Sequence, residues 1–88
     1  MKHPRHFDTS EAAQRDAAQI RKMIRDLDRS VQLLNCDIMT EEKRAGISDR
    51  SEAAYPNLAR MLATRRDNLK DTITALEQRL ANLDQAEG

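Results

Sequence analysis

Residues 13–38 read AQRDAAQIRKMIRDLDRSVQLLNCDI, and the spacing of their apolar members decides the fold. Ala13, Ala17, Ile20, Ile24, Leu27, Val31, Leu34 and Ile38 recur at alternating steps of four and three. That rhythm lines one face of an α-helix and has the form of a heptad seam. A strand would need a period of two. A second stretch, 55–83, repeats the rhythm with Tyr55, Ala59, Leu62, Leu69, Ile73, Leu76, Leu80 and Leu83, and only Arg66 breaks the apolar series.

Outward from the first seam, Asp8 followed by Glu11 has capping-box spacing, with Phe7 and Ala12 placed as a hydrophobic staple. The spacing predicts a helix over 9–45 and a flexible arm over 1–7, where Pro4 and two histidines show no periodicity. Gly46 is the expected C′ residue, with Ile47 positioned for a Schellman contact. Lys43 and Arg44 suit the negative end of the helix dipole. Residues 46–55 form the connection, in which Asp49 and Glu52 repeat the capping-box spacing and predict a short turn over 50–54. Pro56 is expected at the first position of a second helix, 56–85. Residues 8–88 are thus one helical-hairpin domain.

Bulk properties agree. The 88 residues are 34% charged, with 15 Lys+Arg against 15 Asp+Glu, and only 2% aromatic. Two Gly, two Pro and abundant helix formers argue against a β-sandwich or barrel. No stretch of about 18 apolar residues suggests a membrane span. One cysteine excludes a disulfide framework. The start, MKHPRHFDTS, lacks the apolar core of a secretory signal, so a cytoplasmic location is expected.

A short connection makes the two helices antiparallel neighbours. The expected register sets Leu34 opposite Arg66, Val31 opposite Leu69, Leu27 opposite Ile73, Ile24 opposite Leu76, Ile20 opposite Leu80 and Ala17 opposite Leu83. It also places Asp28 across from Lys70, Arg21 from Glu77 and Asp37 from Arg65, all pairs of opposite sign. The fold class is therefore an all-α, antiparallel two-helix hairpin, coiled-coil-like. A chain this short buries only roughly 60–65% of its unfolded surface, so dimerisation into a four-helix bundle is expected.

Several apolar residues fall off the seam: Met23, Leu33, Cys36, Met39, Leu58, Met61 and Ala75. Those near the loop end, Leu33, Cys36, Met39, Leu58 and Met61 together with Tyr55, form the candidate partner-binding patch; methionines suit an adaptable apolar surface. Arg66, at a core position, is a candidate register-setting residue. Its stem would cover Leu34 or Leu69 with the guanidinium in water, or its charge would pair with Asp37 or Glu41. Arg60, Arg65 and Arg66 are candidate nucleic-acid contacts, although acidic residues are interleaved with them and stacking aromatics are scarce. His3 and His6, with Cys36, do not have zinc-site spacing. No phosphate loop, nucleophile elbow or metalloprotease motif occurs. The sequence thus points to a non-enzymatic protein-interaction module, a homodimer with no cofactor, metal or small-molecule substrate. An RNA- or DNA-binding regulator is the alternative.

Overall fold

The structure, a computed structural model, describes residues 4–87, and side chains over 11–85. Two helices pack against each other, α1 (Pro4–Ala45, 42 residues) and α2 (Asn57–Glu87, 31 residues), and the described residues contain no strand. The chain is a helical hairpin.

α1 starts at Pro4, five residues before the expected start at residue 9. Proline is tolerated in a first helical turn because its missing N–H would lack a partner there anyway. At 1.5 Å per residue α1 is about 63 Å long, twice the diameter of a small domain. Residues 1–3 of the expected arm lie outside the described residues.

The end of α1 is a complete Schellman motif. Ile47 N donates to Glu42 O (3.2 Å), and Gly46 N donates to Lys43 O (3.2 Å) and Glu42 O (2.8 Å). Gly46 has φ +74°, which an L-residue with a Cβ resists. Lys43 and Arg44 sit in the last turn as expected. The connection is two successive turns, closed by Glu52 N to Asp49 O and by Tyr55 N to Glu52 O, each 3.1 Å. Asp49 Oδ1 accepts from Ser51 N (3.0 Å) and Ser51 Oγ (2.7 Å). The Asp49–Glu52 pair is therefore an Asx-type turn, not a helix cap. Pro56 is the N-cap rather than the first helical residue: its carbonyl accepts the first helical bond, from Arg60 N at 3.0 Å.

Within the helices, the hydroxyls of Thr40, Thr64, Thr72 and Thr74 donate to carbonyls four residues back, so these β-branched residues keep their polar atoms satisfied. The seam is the packed interface. Ala17, Ile20, Leu34, Ile38, Ala59, Ala63 and Ile73 are buried, while Ile24, Leu27, Val31, Leu62, Leu69, Leu76, Leu80 and Leu83 are half-buried. No ion pair joins Asp28 to Lys70, Arg21 to Glu77 or Asp37 to Arg65; among the described residues the ion pairs are Lys22–Asp26, Glu41–Arg44 and Arg66–Asp67. An exposed pair between helices gains only about 0–1 kcal/mol, little against the entropy of fixing two long side chains. Apolar packing along the seam and one hydrogen bond between the helices, from Arg66 to Asn35, join α1 to α2 instead.

Candidate functional site

The tightest part of the hairpin is the elbow. Tyr55, Ala59 and Ala63 follow at steps of four and pack on Ile38, with Ile47 and Leu62 against the cluster. The two alanines present no bulk, so α2 approaches α1 closely and the Tyr55 ring closes the end. Tyr55 is only 2% exposed. Its hydroxyl donates to Glu42 Oε2 at 2.7 Å, and the Arg60 guanidinium lies 5.3 Å from the ring centroid. Arg60 Nη1 also donates to the Arg50 carbonyl at 3.2 Å, tying the connection to α2. The bond to the Glu42 carboxylate holds the Tyr55 phenol above its ordinary value, burial and the Glu42 charge add to this, and Arg50 and Arg60 oppose it. Tyr55 therefore belongs to the core and leaves the candidate surface patch. The reason is its place at the start of a small-residue row, Tyr55–Ala59–Ala63, whose spacing was legible but whose depth was not.

Arg66 interrupts the seam next to the elbow. Its side chain is 22% exposed. Nη1 donates to Asn35 Oδ1 across the hairpin (2.9 Å), and Nε to Asp67 Oδ1 (3.1 Å). Asp37 and Glu41 are not its partners; Glu41 pairs with Arg44 at 3.4 Å. A neutral amide level with the guanidinium meets its hydrogen-bonding need without burying a second charge. No buried side-chain nitrogen or oxygen among the described residues lacks a partner.

The other patch residues divide between two flanks. Leu33 lines an open groove of about 290 Å³ with Ser30, Leu34, Arg65 and Leu69. Met39 lines a different one, about 310 Å³, with Glu42, Lys43, Gly46, Ile47 and Ser48. Leu58 and Met61 precede Arg65 by seven and four residues and share its flank, and Met23 precedes Ser30 by seven. Leu33 (61% exposed), Met61 (68%), Leu58 and Met23 thus lie together, whereas Met39 is on the opposite flank. Cys36 is exposed on the outer side of α1 between them. Sequence reasoning missed Ser30 and Leu69 as groove residues; the half-burial of Leu69 is the structural sign that marks that flank.

The three arginines do not share a basic face. Arg60 is committed to Tyr55 and the connection, Arg66 to Asn35 and Asp67, and Arg65 borders the apolar groove. Among the described residues no three His, Cys, Asp or Glu side chains gather as metal ligands, and no helix is long and apolar enough to cross a membrane. His3 and the His6 side chain are outside what is described. Comparison of the chain with protein-family models, curated proteins and solved structures finds no match.

Proposed function

We propose that this chain is a non-enzymatic protein-interaction module that works as a homodimer, two hairpins packed into a four-helix bundle. The observation that carries this reading is an excess of surface. A compact monomer of 10.1 kDa exposes about 5,300 Å². This chain exposes 6671 Å², about 1,400 Å² more. A standard interface removes about 800 Å² from each partner, so one such contact would remove more than half of that excess. Part of that surface is the overhang of α1, which at 42 residues outruns α2 at 31, and part is the exposed and half-buried apolar residues of the seam and its flanks. A two-layer hairpin has one apolar stripe per helix to cover, and a second pair of helices is the commonest way to do so.

The test is the concentration dependence of thermal unfolding, because association stabilises the folded state by mass action. The expected result is a midpoint that rises as protein concentration is raised a hundredfold. A midpoint that does not move would show a monomer and remove the reading. Arg60 and Arg66 make hydrogen bonds within the chain, so the RNA- or DNA-binding alternative finds less support here than the protein-interaction reading.

A further inference from the structure

Among the described residues, four of the five exposed large hydrophobic residues, Met23, Leu33, Leu58 and Met61, sit on one flank of the hairpin, and Met39 is elsewhere. The seam is unevenly covered in the same sense. Leu62, Leu69, Leu76 and Leu83, at successive seven-residue steps along α2 beyond the buried Tyr55, are all half-buried; on the other edge of that seam Ala59 and Ile73 are buried and Leu80 is half-buried. Leu69 lines the groove with Leu33 and Arg65, which places this leucine row on the same flank as the exposed residues. Ile24, Val31 and Leu80 on the other edge are half-buried too, so the flank is set apart by its exposed residues together with the α2 leucine row.

Charge on this flank is self-complementary. Asp37 follows Leu33 by four residues, and Arg65 borders the groove. Within one chain no ion pair joins them. When two hairpins are laid flank to flank with their elbows side by side, α1 of each runs along α2 of the other. Asp37 of each copy then comes level with Arg65 of the other, twice by symmetry. Laid elbow to tail, α1 would meet α1 and α2 would meet α2, and Asp37 would not come level with Arg65 of the other copy.

We infer that a second copy of this chain docks on the Met23–Leu33–Leu58–Met61 flank, elbow beside elbow, with Asp37 of each copy facing Arg65 of the other. This rests on the dimer reading above and adds the surface and the orientation. The area allows this occupant: the flank carries Leu69 and four exposed large hydrophobic residues, and the surface excess of about 1,400 Å² per chain is larger than the roughly 800 Å² that one subunit contact removes.

Sedimentation equilibrium on the full chain, with helicity followed by circular dichroism, tests it. The wild type is expected at twice 10.1 kDa. Leu33→Asp with Met61→Asp should halve the mass at unchanged helicity, while Met39→Asp should leave the dimer intact. Asp37→Arg or Arg65→Asp alone should raise the dissociation constant about tenfold or more, and the two together should restore it. This charge exchange also decides the matter if the apolar variant fails to fold. A monomeric wild type overturns both this inference and the dimer reading, and leaves the flank to a different protein. A wild-type dimer that survives Leu33→Asp with Met61→Asp, or that Met39→Asp breaks, overturns the flank alone. Single charge reversals without effect, or a double reversal that does not rescue, overturn the orientation.

Discussion

The elbow and the arms of this hairpin solve the same problem differently. At the elbow, Ile38 is enclosed by Tyr55, Ala59 and Ala63, and the phenol, the Glu42 carboxylate and the Arg60 guanidinium complete a closed unit. Along much of the arms, Ile24, Leu27, Leu76 and Leu80 face a single partner helix and stay half-buried. Small residues make the difference. Ala59 and Ala63 are 0% and 1% exposed beside the Tyr55 ring that covers the end, whereas the larger Ile24, Leu27, Leu76 and Leu80 keep part of their surface in water. The elbow therefore fixes topology within one chain, and the arms carry apolar surface available to another.

The largest effect separating the two regions is a core truncation. Ile38→Ala should lower stability by about 2–5 kcal/mol, because the enclosed site cannot collapse. Leu69→Ala, in the half-buried row, should lower it by about half as much in the monomer at high dilution. Denaturant titration of both variants checks this, and equal losses would erase the distinction between elbow and arms. Gly46→Ala comes next. A Cβ there meets nothing within 4 Å, so the only penalty is the positive φ, about 1–2 kcal/mol. Gly46→Asn should recover much of it, and a thermal melt reads both.

The remaining expectations are pH effects. Tyr55 is held above its ordinary 10.0, so its contribution is complete below that pH and is lost as pH rises through the raised value. Absorbance titration of the single tyrosine should show the raised midpoint in the wild type and a lower one in Glu42→Gln. Asp49 is held below 3.8, first by the Ser51 hydroxyl and then by the Ser51 amide. Its contribution is present above pH 3.8 and is lost as pH falls through the lowered value. Ser51→Ala should raise the Asp49 midpoint seen by NMR. The group is exposed, and this is the smallest effect of the set.

Much of the fold could be read from spacing. The four-three rhythm located both helices, and Gly46 with Ile47 marked the Schellman turn that the hydrogen bonds display. What escaped the sequence has physical causes. Pro4 begins α1 because a first-turn proline loses no hydrogen bond, so the more conspicuous cap at Asp8 misplaced the start. Tyr55 is legible as the first member of the α2 series, so its burial follows from spacing, and only its nearness to the loop suggests a place in the surface patch. Asn35 gave no warning as the partner of Arg66, since a neutral amide beside a core arginine is invisible to a search for opposite charges. Leu33, Cys36, Met39, Leu58 and Met61 are exposed but lie on more than one flank, because distance from the loop says nothing about azimuth around a helix.

The whole comparison depends on the chain doubling back between Gly46 and Pro56. Spin labels at Arg29 and Asp71, in a Cys36→Ser background diluted with unlabelled protein, measure this directly by dipolar spectroscopy. The hairpin sets these outward positions level with each other, so one intrachain distance of about 20–30 Å is expected from a helix spacing of about 8–10 Å plus two label arms. A distance near 60 Å, which is about 42 residues of continuous helix, would show an opened or exchanged hairpin and contradict the account.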